Sequence, residues 1–139
     1  MIVLDTNVLS EPLRPRPEPR VVGWIDAQHV GTLYVSALTL AELRLGVAVL
    51  PDGARRQSIE WRLEREVFPL FTGRVLPVDD SVAVEFARLL AAARSAGSTM
   101  PTADALIAAT CAAHGFTLAT RNVADFATSG IPLINPWAN

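Results

Sequence analysis

Four acidic residues stand where carboxylates can converge. Asp5 directly follows the apolar run Ile2-Val3-Leu4, and Glu42 sits among Leu40, Ala41 and Leu43. Asp104 begins the most uniformly apolar stretch of the chain, and Asp125 lies just past a further apolar run, within Thr120-Arg121-Asn122-Val123-Ala124-Asp125-Phe126. Carboxylates crowded together repel one another, and burial raises the cost of their charges. A divalent cation relieves both, and an all-oxygen ligand set suits Mg²⁺ or Mn²⁺. An ion held by carboxylates and waters can activate water and offset the charge developing on a phosphate, so this pattern points to metal-assisted phosphoryl chemistry. Each acid also has a plainer reading: Asp5, Asp104 and Asp125 are placed to cap helices, and Glu42 could stand on an exposed helix face.

Other chemistries find little support. Ser36, Ser81 and Ser95 have no histidine partner in reach by sequence, and no glycine-rich phosphate loop is present. The single cysteine, Cys111, excludes an internal disulfide and a multi-thiolate zinc site. His114 precedes Gly115, where a cation favours the helix dipole, and His29 reads as a surface residue.

The elements that must position the acids follow from hydrophobic patterning. Short apolar runs at Ile2–Leu4, Leu33–Ser36, Val75–Val78, Phe116–Ala119 and Leu133–Ile134 read as buried parallel strands. Between them, Leu40, Leu43, Val47 and Leu50 repeat at helical spacing, with Glu42 near the front of that helix. Pro19 suits the first turn of a short helix carrying Val21, Val22, Trp24 and Ile25. Asp52 is placed to cap a helix whose stripe is Ile59, Leu63 and Val67. Asp79-Asp80-Ser81 starts a helix that Gly97 can close, and Pro101-Thr102 opens one that runs to Gly115. Residues 105–113 of that last helix are apolar nearly all round, so it should be covered on most sides. A short helix is expected around Ala124–Ala127. Strands alternating with helices imply an α/β architecture: one domain over residues 1–139, with a mostly parallel five-stranded sheet and helices on both faces. Sites in such sheets gather outside the carboxyl ends of the strands, the rim shared by Asp5, Asn122 and Asp125.

Composition bounds the partners. The chain has 139 residues, half of them apolar, and a formal net charge of −2, so nucleic acid cannot be held by bulk positive charge. All twelve basic residues are arginine, which favours local bidentate phosphate contacts. Arg44 and Arg121 are the candidates for such contacts, whereas Arg14, Arg16 and Arg20 read as solvating a proline-rich loop. The start MIVLD lacks the basic region of a signal peptide, and no apolar run is long enough to span a bilayer. A cytoplasmic location is expected.

The segments MIVLDTNVLSEPLR, VSALTLAELRLG, MPTADALIAAT, LATRNVADF and INPWAN closely resemble the PIN-domain toxins of the VapC class, nearest the FitB type, over essentially the whole chain. The resemblance implies an α/β PIN fold and an Mg²⁺- or Mn²⁺-dependent endoribonuclease, the toxin of a type II toxin–antitoxin pair. It also implies a homodimer and a small antitoxin that blocks the active site and binds operator DNA. The family's acids fall on Asp5, Glu42 and Asp104, with Asp5 and Asp104 as the main metal ligands. The fourth position falls on Asn122, where similar sequences can carry Asp, or on Asp125 three residues later. Thr6, Asn7 and Thr120 match polar positions that support metal-bound water. Trp24 is a candidate interface anchor, with core packing as its alternative. A weakly catalytic PIN module, acting mainly in an antitoxin-mediated DNA-bound repressor complex, is the alternative that the neutral Asn122 leaves open. A haloacid-dehalogenase-type phosphatase would need Asp where this chain has Asn7.

Overall fold

Side chains along the central strands alternate between two apolar environments, as the period of two requires. Val3, Tyr34 and Leu118 face one core, whereas Ile2, Leu4, Leu33, Val35 and Ala119 face the other. A computed structural model describes residues 1–138. Its strands are β1 (Ile2–Leu4), β2 (Leu33–Ser36), β3 (Val75–Leu76), β4 (Thr117–Ala119) and β5 (Leu133–Ile134). They form a five-stranded sheet of order β3-β2-β1-β4-β5 in which every pairing is parallel. The chain steps outward from β1 through β2 to β3 and then returns to the other side of β1 as β4. The strand order therefore reverses between β1 and β4, and a crevice opens at their carboxyl ends.

The helices are α1 (Thr6–Ser10), α2 (Pro19–Asp26), α3 (Ala37–Ala48), α4 (Ala54–Arg62), α5 (Asp80–Ser95) and α6 (Thr102–His114). One core lies between the sheet and the pair α5 and α6; the other is covered by α1, α2, α3 and the segment that follows α4. Both faces of the sheet are thus buried, as parallel strands demand. Ala105, Ile107, Ala108, Ala109, Thr110 and Cys111 are all buried, which makes α6 the central helix expected from its sequence. It ends at Gly115, whose φ of 67° is left-handed and costs glycine nothing. No helix among the described residues is long and apolar enough to cross a membrane.

Several local expectations are corrected. The third strand stops at Leu76 because Pro77 has no N–H for the ladder. Asp52 does not cap α4, which begins after Gly53 without a side-chain cap; its carboxylate instead accepts from Arg56 at 2.8 Å. The helix carrying Ile59, Leu63 and Val67 changes pitch at Leu63 and continues as a π turn over Leu63–Val67. Glu42 stands in the middle of α3, not at its front. Trp24 packs against the second core and stays partly exposed, as its packing reading expects.

Phe126 belongs to the short helix expected around Ala124–Ala127, which is a 3₁₀ helix over Val123–Ser129, and it is 1% exposed. Its ring anchors that segment in the first core, beside Asp125. Truncation of such a ring leaves a cavity, so Phe126→Ala should cost about 3–5 kcal/mol in denaturant unfolding. A cost within about 0.5 kcal/mol, the range of surface substitutions, would mean that the ring is not an anchor.

Candidate active site

Asp5 leaves β1 at the crevice and starts α1 at the same point. Its backbone N–H still pairs with the Ala119 carbonyl of β4 at 2.9 Å, while its Oδ1 accepts the N–H of Thr6 at 2.8 Å. Oδ2 accepts the hydroxyl of Thr120 at 2.7 Å and the amide of Asn7 at 3.4 Å. Asp5 is therefore both the helix cap and a site residue, and the two readings do not compete. The carboxylate is buried, and burial raises its pKa above the ordinary 3.8 against the lowering effect of the Thr120, Thr6 and Asn7 hydrogen bonds.

The remaining acids face the same crevice. Thr6 Oγ1 donates to Glu42 Oε1 at 3.0 Å, tying α3 to α1. Glu42 is half-buried, so it is not a freely solvated helix residue. Asp104 sits in the first turn of α6, a helix with no side-chain cap. Its pKa is raised by burial first, and then by the charges of Asp5, Asp125 and Glu42. That repulsion places all four carboxylates within one electrostatic neighbourhood. Asp125 is brought there by a turn in which its N–H donates to the Asn122 carbonyl at 3.0 Å. Asn122 contributes its backbone N–H to Thr120 Oγ1 at 3.0 Å, and its side chain does not cap the 3₁₀ segment. The polar ring closes where Arg121 N–H donates to Asn7 Oδ1 at 3.2 Å.

Among the described residues, none of these four acids is in a salt bridge. A buried Asp5 with half-buried Glu42 and Asp104 and an exposed Asp125, none paired with a basic side chain, matches the oxygen chemistry of a hard divalent ion. Ionised carboxylates accept at up to about four lone-pair positions, so Asp5 retains acceptor capacity beyond its three donors. No three His, Cys, Asp or Glu side chains among the described residues close on one point. The arrangement thus fits an ion held by one or two carboxylates and otherwise hydrated, as Mg²⁺ prefers. Beside Thr6 and Glu42 a cleft of about 870 Å³ opens between α3, α4 and the loop at Arg14 and Pro15, far larger than a hydrated ion requires.

Two arginine expectations separate. Arg44 is not available for phosphate: its Nε and Nη2 donate to Glu64 at 2.9 and 3.2 Å, and its guanidinium lies 4.6 Å from the Phe68 ring centroid. Arg121 stays on the rim, with its guanidinium 5.2 Å from the centroid of Trp137. Sequence reasoning missed Trp137 as that partner; the available signal was a lone aromatic residue just past the last apolar run, Leu133–Ile134.

Comparison with known proteins gives the same fold. The PIN domain family model matches residues 2–127. The VapC ribonuclease Y4jK of Sinorhizobium fredii is 50% identical over 137 residues, covering 99% of this chain and 98% of that protein. Toxin FitB of Neisseria gonorrhoeae is 47% identical over 137 residues, 99% of each. The crystal structure of FitAcB from Neisseria gonorrhoeae matches with a TM-score of 0.97 at 46% identity over 100% of both chains. FitAB bound to an IR36 DNA fragment matches with a TM-score of 0.95 at 45% identity, over 99% of this chain and 96% of that one.

The raised carboxyl groups set the sign of a pH effect. A carboxyl with a folded pKa above its unfolded value holds its proton more tightly in the folded chain, so ionisation withdraws stability. For Asp5 and Asp104 the effect is absent below their ordinary value of 3.8 and grows as pH rises through the folded pKa. In chelator, Asp104→Asn should melt above the parent chain at neutral pH, and the gap should close in acid. A variant that melts lower at neutral pH would contradict the repulsion.

Proposed function

The chain belongs to the PIN-domain family, and from that premise we propose that it is a metal-dependent endoribonuclease, the toxin of a type II toxin–antitoxin pair. The observation that carries this reading is the convergence at one crevice of Asp5, held by Thr120, Thr6 and Asn7, with Glu42, tied to Thr6, and Asp104, in the first turn of α6. The names of the VapC ribonuclease and the FitB toxin support the activity and the role.

Asp5 and Asp104 would hold the ion, Mg²⁺ or Mn²⁺, with Thr120, Thr6 and Asn7 fixing the Asp5 carboxylate. When bound, a divalent ion supplies Lewis-acid activation of water and neutralises charge at the scissile phosphate. Glu42, steadied by Thr6 Oγ1, is placed to orient the attacking water and accept its proton. Asp125 is the better candidate for the fourth acid, because its charge bears on Asp104; Asn122 acts through its N–H on Thr120.

A cognate antitoxin would inhibit the enzyme by covering this cleft and would bring the pair to operator DNA, a reading supported by the DNA-bound FitAB structure. Leu45 on α3, Val49 just past its end and Trp61 on α4, at 63%, 72% and 55% exposure, supply apolar surface for the antitoxin or for a second copy in a homodimer. The complex would act in the cytoplasm.

Asp5→Asn should lower RNA cleavage by on the order of 100-fold or more, since even outer-shell changes at metal sites cost 10–100-fold. It should keep the fold, because Asn is nearly isosteric. Added Mg²⁺ should raise the melting temperature of the parent chain, and Asp104→Ala should erase most of that rise. Asp125→Asn should impair cleavage strongly, with Asn122→Asp partly restoring it. Undiminished cleavage by Asp5→Asn would overturn the assignment.

A further inference from the structure

Four carboxylates make a hostile entrance for a polyanion, and an ion at the centre serves only the phosphate that reacts. The neighbouring phosphates of an RNA strand need a cation on the rim. Several arginines already have partners in the fold, and Arg14, Arg55 and Arg62 line the cleft on the Glu42 side. Arg14, Arg44, Arg56 and Arg88 pair with Glu11, Glu64, Asp52 and Glu85. Arg74 donates to the carbonyls of Val30, Leu33 and Leu70.

Arg121 differs in both position and partner. It follows Thr120, the hydroxyl donor to Asp5, and its own N–H donates to Asn7, the amide donor to the same carboxylate. Its backbone is thus fastened to the Asp5 network at two adjacent points. Its guanidinium pairs with no acidic side chain among the described residues and rests over Trp137, 5.2 Å from the ring centroid. Trp137 is itself held: it packs on the second core, its N–H donates to Asn135 Oδ1 at 3.0 Å, and its carbonyl accepts from Arg20 at 3.3 Å. An aromatic face restrains a guanidinium without neutralising it and leaves its N–H donors open to an anion.

We propose that Arg121, laid on Trp137, is an RNA-backbone subsite that binds a phosphate flanking the scissile one. Arg121 is the binding residue and Trp137 the positioning residue that holds the fork at the rim. The inference rests on the ribonuclease reading and adds the group that draws the strand across an acidic cleft. Arg121 is exposed, so its replacement leaves both cores intact.

The test measures binding of a short single-stranded oligoribonucleotide of mixed sequence to the cleavage-impaired Asp5→Asn chain, at fixed Mg²⁺ and over a series of salt concentrations. Adding Arg121→Ala should weaken binding about tenfold, the scale of one hydrogen bond to a charged group. It should also reduce the salt slope by about 0.7, the value for one phosphate contact on a single strand. Trp137→Phe should stay near the parent, whereas Trp137→Leu, which also gives up packing on the second core, should lose part of the affinity at a temperature where it is still folded. Arg88→Ala removes the same charge near Gly115 and Pro132, at the far end of β4, and should leave affinity and slope in place. Unchanged affinity and slope in Arg121→Ala would overturn the subsite, and so would an equal loss in Arg88→Ala. Cleavage by the otherwise unaltered chain is read separately. Its absence sinks the ribonuclease reading, whereas normal cleavage with an indifferent Arg121→Ala sinks only this inference.

Discussion

The arrangement depends on a carboxylate buried at the point where the sheet reverses its strand order. Asp5 is 6% exposed, and its nearest support is neutral: the hydroxyl of Thr120, the amide of Asn7 and the N–H of Thr6. Neutral donors stabilise a carboxylate without discharging it, so its field still reaches the groups around it. Asp104 on α6 registers that field, and so does Cys111, whose thiol is pushed up to about 12 by burial and by Asp5. A salt bridge in place of those donors would have satisfied Asp5 and removed its use. Arg14, Arg55 and Arg62 line the cleft beside Glu42, yet among the described residues no arginine forms an ion pair with Asp5, Glu42, Asp104 or Asp125.

The donors to Asp5 also join elements that are distant in sequence. Thr120 ends β4, Asp5 ends β1, and the bond between their side chains crosses the crevice that separates them. Thr6 reaches from α1 to Glu42 on α3, while Asn7 accepts from the backbone of Arg121. Every link is short and made by a small side chain with few rotamers to lose, which favours a rigid geometry. Loosening one link displaces a carboxylate and also the element behind it.

What the sequence disclosed and what it withheld divide along physical lines. Strands buried on both faces read as uninterrupted apolar runs, and a helix apolar all round announces its central place, so the sheet, α6 and the positions of Asp5 and Asp104 were legible. Contacts set by tertiary geometry were not. Nothing local in the sequence separates Arg44, clamped by Glu64 across twenty positions, from Arg121, which lies free on Trp137. Asp52 had the residue type of a cap but found a stronger partner in Arg56 one turn away. Asn122 and Asp125 sit at a 3₁₀ turn whose pitch no hydrophobic period marks, with Phe126 its one buried aromatic, so their relative placement was not legible. The difference between Trp24 and Trp137 was hidden for a similar reason, since both pack on the second core and only one lies beneath a rim cation.

Small residues set the distance at which this chemistry operates. Ala105, Ala108, Ala109 and Cys111 line the buried length of α6, and side chains of that size let a helix lie close against a sheet. Asp104 and Cys111 are seven residues apart, about 10 Å along the helix, yet both feel Asp5. Ala105, Ala108 and Ala109 are fully buried in the core that also holds Val3 and Leu118, so α6 packs along the sheet and not only at its first turn. A bulkier residue at Ala105 or Ala108 would lift α6 from β1 and β4 and carry Asp104 away from the crevice, although neither alanine belongs to the site. Packing of the first core is thus the ruler that spaces the carboxylates. The alanine content that marks α6 as a buried helix is the same feature that brings Asp104 within reach of Asp5.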